Sequence, residues 1–241
     1  MKIVADLHVH LSGKAPLAQT AQEIIYYART RGLEAVALTD HLPKTSNIHC
    51  AWSKADQAAL SAIDTPVRLL CGAEADIADL SGTLLADPAD LARSRLTVAA
   101  LHPYCVRPHD PAAHTAAFAA ALENPFVDIL AHPMDTPYPF EEEALVALAA
   151  RLGKPLELNA LSARNDPACA QAQKRLALLA KQYGAPLVVS SDAQKPEQVG
   201  DFWDIPNWLD ELEIPSQLVL NSDMRLLEDY LTRRSFARLD A

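Results

Sequence analysis

The sequence predicts one α/β domain of parallel strands with helices packed outside, and three observations carry that expectation. Short apolar runs alternate with helical segments from residue 3 to about residue 190. No linker or change of composition interrupts the alternation, so residues 1–241 read as a single domain. The apolar runs end in acids and histidines: Asp6-Leu7-His8-Val9-His10, Thr39-Asp40-His41, Gly72-Ala73-Glu74, Leu101-His102-Pro103, Ala131-His132-Pro133 and Ser191-Asp192. In a barrel of parallel strands the carboxyl ends converge on one face, where such side chains from distant positions meet.

Residues 3–9 read as the first strand. Leu17, Ala21, Ile24, Ile25 and Ala28 then fall at helical spacing, and Gly32 is placed to end that helix. Residues 35–39 form the second strand, and a partly helical polar segment containing Trp52 leads to the third at 67–72. The fourth strand spans 96–101, after which Asp110-Pro111 supplies an N-cap and a first-turn proline for a helix to about Leu122. The fifth strand covers 127–131. Glu141, Glu142 and Glu143 suit the positive end of the next helix, which Gly153 closes. A sixth strand at 155–159, a helix from Asp166-Pro167 to Gly184 and a seventh strand at 187–190 follow. Two short helical segments, 206–212 and 223–233, complete the chain.

The chain has 241 residues, half of them apolar, enough for one core of barrel size. Its net charge of −10 argues against tight, non-specific binding to nucleic acid. A phosphorylated substrate stays compatible with that charge, because bound cations reverse the local sign. Cys50, Cys71, Cys105 and Cys169 form no C-x-x-C pair and read as reduced thiols. Asp6, His8 and His10 interrupt the first apolar run, which a secretory signal would not tolerate, and no run approaches the roughly 18 residues of a membrane span. The expectation is a soluble cytoplasmic protein without a membrane partner; a homo-oligomer stays open.

A lone histidine at a strand end is more often structural than a ligand. His8 and His10 differ, because a strand puts i and i+2 on one face, and two imidazoles in a barrel core need a partner such as a metal. Four further strand ends carrying His or acid make a metal site the better account. His49, His109 and His114 fall outside the pattern and read as solvated or cap-region residues, with His109 beside Arg107 near the mouth. No G-x-S-x-G elbow, G-x-G-x-x-G or P-loop occurs, which sets aside a serine hydrolase and the common phosphate-cradling loops.

The ordered motifs Asp6-x-His8-x-His10, Thr39-Asp40-His41, Gly72-x-Glu74, His102-Pro103, His132-Pro133, Glu157-x-Asn159 and Ser191-Asp192-Ala193 resemble those of the PHP superfamily of metal-dependent phosphoesterases. The similarity is to its small single-domain bacterial phosphatase-like members, related to histidinol-phosphate phosphatases and polymerase PHP domains, and it covers nearly the whole chain. It implies a distorted seven-stranded TIM-like barrel with up to three divalent ions. Carried over by residue, it implies that His8, His10, Glu74 and Asp192 hold one metal, and that Glu74 bridges to a second held by His102 and His132. A third would take His41 with two more histidines, but the sequence has Lys14 in the loop after His10 and Gln194 two residues beyond Asp192. An ammonium cannot coordinate, and an amide oxygen is a weak ligand beside imidazole. His41 and Gln194 are then remnants of a third site, with Lys14 supplying the charge that ion would have brought.

The resulting expectation is a two-metal centre of Zn²⁺, Mn²⁺ or Fe²⁺ that hydrolyses a phosphate ester through a bridging hydroxide. Its catalytic set is Glu74, Asp192 and His41, the last as an orienting or proton-transferring group. Asp6 and Asp40 would orient ligand imidazoles. Lys14, Arg107 and Arg164 are the cations expected near the mouth to bind a small phosphorylated metabolite or nucleotide. Two alternatives stand: a non-phosphate hydrolase of amidohydrolase type, which calls for a lysine ending a mid-barrel strand, and a non-catalytic metal-binding module.

Overall fold

The structure, a computed structural model, describes residues 1–11, 17–42 and 53–237. Seven parallel strands form one sheet in sequence order: β1 (Ala5–Val9), β2 (Ala35–Leu38), β3 (Arg68–Asp76), β4 (Leu96–Ala100), β5 (Ile129–Leu130), β6 (Leu156–Asn159) and β7 (Leu187–Ser190). The sheet curls into a nearly closed barrel. Strand order equals chain order, so each crossover returns the chain beside the strand just left. The helices are α1 (Leu17–Thr30), α2 (Lys54–Ser61), α3 (Pro88–Arg93), α4 (Pro111–Glu123), α5 (Glu142–Leu152), α6 (Ala160–Asn165), α7 (Pro167–Tyr183), α8 (Ile205–Glu211) and α9 (Met224–Ala237). No helix among the described residues is long and apolar enough to cross a membrane.

The helix boundaries follow the expected chemistry. Asp110 caps α4 by accepting from the Ala113 amide at 2.9 Å, and Gly153 and Gly184 end α5 and α7 in left-handed conformation. Two short helices were not anticipated. Asp87 and Pro88 open α3 with a cap and a first-turn proline, and Asn159, the last residue of β6, caps α6 directly. The third strand runs four residues beyond its expected end, which places Glu74 inside it. The fifth is only two residues long, because the Asp128 carboxylate takes the Thr97 amide at 2.7 Å and holds Arg234 just before it.

Barrel closure between β7 and β1 relies on a side chain. The Asn221 amide donates to the carbonyls of Ala5 and Val189, its oxygen accepts the Val189 amide at 3.1 Å, and its own carbonyl takes the Val4 amide at 2.9 Å. Beyond this seam, Val9 bridges Ala193. Each strand-edge group left unpaired there would cost about 1–3 kcal/mol. Inside the barrel, Leu70, Val98, Ile129 and Val188 pack against Leu227, Tyr230 and Leu231 of α9, so one end is plugged with apolar side chains. The outer faces of the strands, including Leu38, Leu130 and Val189, pack under α1, α4, α5 and α7. The strand carboxyl ends are left as the polar mouth.

A candidate metal centre at the strand carboxyl ends

Glu74 stands at the middle of the mouth, only 1% exposed. Its Oε2 lies 3.3 Å from His8 Nε2, 3.4 Å from His10 Nε2 and 3.3 Å from His41 Nε2. Its Oε1 lies 3.4 Å from His102 Nε2 and 3.3 Å from His132 Nε2. Five imidazoles from four strand ends thus aim the same ring nitrogen at one carboxylate. Asp192 joins them, its Oδ1 lying 3.3 Å from His10 Nε2. Ligand atoms of His8, His10 and Glu74 all fall within 4.8 Å of one another, as do those of His41, Glu74 and His102.

Strand geometry delivers Glu74 to this point, helped by Gly72 two residues earlier. A Cβ at Gly72 would lie 2.8 Å from the Thr39 methyl and 2.9 Å from the Leu96 carbonyl oxygen, so the close approach of the neighbouring strands requires glycine. His132 and Asp192 leave their strands with φ of 30° and 53°. Left-handed backbone at non-glycine residues costs of order 1–3 kcal/mol, and it persists where surrounding contacts over-determine it. Here the Glu157 carboxylate holds the His132 amide at 2.7 Å, while Asn159 and Gln194 hold the Asp192 carboxylate at 3.1 and 2.8 Å.

The outward ring nitrogens are also anchored. His8 Nδ1 lies 2.9 Å from Glu157, His10 Nδ1 3.5 Å from Asp40, and His132 Nδ1 3.3 Å from Asp135. His102 and His41 share Asp76, at 2.8 and 3.2 Å. Tyr104 stacks on the His102 ring and donates its hydroxyl to Asp76 at 2.9 Å. Burial opposes charge throughout this cluster, yet pairing wins. The Asp192 and Asp40 hydrogen bonds and the Glu74 charge raise His10 to about 9 despite its burial. Glu74, Asp135 and Glu157 likewise raise His132 to about 10. Burial would raise Glu74, but His8, His132 and His10 hold it well below the usual carboxylate range. A set of imidazoles and carboxylates competing for protons in this way suits a borderline divalent cation, which would replace those protons.

Several expected residues stand elsewhere. Asp6 does not orient an imidazole. Its carboxylate receives the Ser191 amide at 3.1 Å and the Gly200 amide at 2.8 Å, and burial pushes it up to about 6. The register shift between Asp6 and Val9 is the reason, since it breaks the simple alternation that would place Asp6 with His8. Gln194 gives its amide to Asp192, while His41 sits on Glu74 and Asp76; no described contact links these two remnants of a third site. Arg164 pairs with Asp201 at 2.8 Å, Arg107 is exposed, and Lys14 lies outside the described residues. His114 is buried rather than solvated, accepting the His109 amide at 2.7 Å, and His109 itself pairs with Asp110. His49, Cys50 and Trp52 also lie outside the described residues.

The sequence reading missed Asp76, Tyr104 and Asp135, and gave Glu157 no role. Asp76 carried a signal, because position i+2 from Glu74 shares its strand face. Beside the ligand cluster lies a cavity of about 340 Å³, lined in part by His102, His132, Asp135, Ser162, Asn165 and Asp166.

No family model matches the sequence. Among curated proteins the chain is similar to a "Probable phosphatase" of Acetivibrio thermocellus, 31% identical over 97% of each chain. Probable phosphatases of Clostridium novyi (30% identical, 96% of this chain and 95% of the relative) and Shewanella sediminis (29%, 100% and 98%) match it as well. Two solved structures share the fold. One is a histidinol phosphate phosphatase from Lactococcus lactis in complex with zinc, L-histidinol and phosphate, with TM-score 0.62, 14% identity and coverage of 89% and 95%. The other is a chain of archaeal ribonuclease P with mature tRNA, with TM-score 0.62, 16% identity and coverage of 96% and 91%.

Proposed function

The chain belongs to the family of bacterial probable phosphatases, and we propose that it is a metal-dependent phosphomonoesterase of PHP type with two divalent ions flanking Glu74. The observation that carries this reading is the single carboxylate with imidazole nitrogens on both of its oxygens. His8, His10, Asp192 and Oε2 of Glu74 would hold one ion. His102, His132 and Oε1 would hold the other, with His41 close enough to join it. Divalent ions so placed supply Lewis acidity and neutralise charge on a transferring phosphoryl group.

The chain's own groups do the rest. Asp40, Glu157 and Asp135 fix the ring orientations, which sets which nitrogen of each imidazole faces inward. The Glu157–Asn159 pair keeps Asp192 and His132 in their left-handed conformations. Ser162 and Asn165 line the cavity beside His102 and His132, where the alcohol portion of a small phosphorylated metabolite would sit. The expected carboxylated lysine of an amidohydrolase has no counterpart among the described mouth residues. Buried Lys154 precedes β6, at the opposite end from the mouth, and gives its ammonium to the Leu122 and Asn124 carbonyls.

Assay of a panel of phosphomonoesters, phosphodiesters and amides with Zn²⁺, Mn²⁺ and Fe²⁺ supplied separately tests the reading. Phosphomonoester hydrolysis that chelator abolishes and Glu74→Ala lacks is the expected result. Amide hydrolysis without phosphate release would overturn it.

A further inference from the structure

We propose that Asp76 is a positioning residue that sets His41 and His102 together as one unit for a single divalent ion. This rests on the metal-binding part of the reading above and extends it to a residue and a ligand pairing that it leaves open. Asp76 is 2% exposed and lies two residues beyond Glu74 on β3, so both carboxylates project from one strand face. β3 runs between β2 and β4, and His41 and His102 follow those two neighbours. A carboxylate on the middle strand therefore reaches imidazoles arriving from either side.

The contacts define both rings at two points. His102 has Nδ1 2.8 Å from Asp76 Oδ1 and Nε2 3.4 Å from Glu74. His41 has Nδ1 3.2 Å from the same Oδ1 and Nε2 3.3 Å from Glu74 Oε2, the oxygen next to the one His102 faces, and the ligand atoms of His41, Glu74 and His102 all lie within 4.8 Å of one another. An imidazole that gives its Nδ1 proton to a carboxylate presents the Nε2 lone pair, the state a cation needs. The Tyr104 hydroxyl, also on Oδ1 at 2.9 Å, donates to the same oxygen while its ring lies parallel to His102 at 5.1 Å between centroids. His8, His10 and His132 each have a different carboxylate on Nδ1, namely Glu157, Asp40 and Asp135. Asp76 alone, among these described contacts, orients two rings. Its loss should release two of the imidazoles around that ion and leave the His8 and His10 contacts with Glu157 and Asp40 in place.

The test is a calorimetric Zn²⁺ titration of chelator-stripped wild type, Asp76→Asn and Asp76→Ala, with elemental analysis after desalting and the thermal midpoint of each stripped protein. Asp76→Asn keeps the shape and one acceptor oxygen, so it should fold like wild type, bind one ion unchanged and bind the other about 10- to 100-fold more weakly. Asp76→Ala should lose that second ion. In a cycle with His41→Ala the double variant should bind it no more weakly than Asp76→Ala alone, because the two changes remove one unit. Wild-type binding of both ions by folded Asp76→Asn and Asp76→Ala would overturn the proposal while leaving the metal centre standing. Equal weakening of both ions in Asp76→Asn would also overturn it. Absence of ion binding by wild type would instead overturn the metal reading itself, and this proposal with it.

Discussion

The two oxygens of Glu74 face different surroundings. On the Oε2 side, His8 and His10 are 0% and 7% exposed, Glu157 and Asp40 hold their outer nitrogens, and Asp192 is itself fixed by Asn159 and Gln194; only the His41 ring, at the rim beside the same oxygen, is not buried among these imidazoles. On the Oε1 side, the His102 and Asp135 side chains are 17% and 32% exposed and border the cavity. A closed ligand set suits retention of an ion, and an open one leaves a position for substrate. On the proposed function, the residues of the first flank would retain an ion, and those of the second would leave room beside theirs for the phosphoryl group.

Glu74→Ala removes the feature both flanks share and has the largest expected effect. Each ion is asked to supply several kcal/mol of transition-state stabilisation, and 1.4 kcal/mol is about tenfold in rate. Phosphatase kcat/KM should therefore fall at least about a thousand-fold, with neither ion retained after desalting. Retention of one ion with near-wild-type turnover would show that the flanks do not depend on a common carboxylate.

Separating the flanks comes next. His10→Ala opens the closed side, where the ring is buried between Asp192 and Asp40, so its ion should be lost on desalting and activity should fall about 100-fold. His102→Ala weakens the side that already faces solvent. Excess metal in the assay should restore a larger share of its activity than of His10→Ala activity. Equal rescue of the two variants would erase the asymmetry.

Much of this arrangement was legible in the sequence, for a physical reason. A strand alternates its faces, so His8-x-His10 declared a shared direction, and apolar runs ending in His or acid declared a common rim. The seven-stranded parallel sheet followed from alternation. The remainder depends on contacts that local pattern cannot encode. Asn221 closes the barrel by bonding backbone 32 and 216 residues away. Asp6 left the ligand face through a register shift in β1, and His132 and Asp192 reach theirs through left-handed backbone. The Arg164 partner, Asp201, is likewise set by how loops meet above the strands.

Proton competition offers a condition rather than a mutation for probing both flanks. His10 and His132, one on each side, are raised in the folded, metal-free protein to about 9 and about 10, against an ordinary value of 6.5. Below pH 6.5 both are protonated in the folded and unfolded chains, and the stabilisation from their carboxylate partners is fully present. As pH rises through 9 and 10 the folded rings lose their protons, and that stabilisation is lost. The thermal midpoint of the stripped protein should accordingly fall between pH 7 and pH 10. Zn²⁺-loaded protein should show a shallower fall, because the cation takes the place of the protons. Parallel curves for the two forms would mean that the imidazoles do not face the ions.

The smallest expected effect concerns the cations around the open flank. Arg164 was an attractive phosphate ligand by position, since it lies in α6, the short helix that starts directly after β6 on the mouth side. Its guanidinium is instead 2.8 Å from Asp201, and both side chains are more than one-third exposed. An exposed pair of this kind is worth about 0–1 kcal/mol, and a guanidinium already paired has less to give a phosphate. If charge neutralisation at the open flank comes from the ions, Arg164→Ala should change KM by no more than about threefold, with kcat and the thermal midpoint near wild type. Arg164→Ala and Asp201→Ala, measured together, separate the possibilities. A tenfold rise in KM in the first with a fall in the second would show that Asp201 withholds a phosphate-binding arginine. The open flank would then rely on a side-chain cation as well as on the ions.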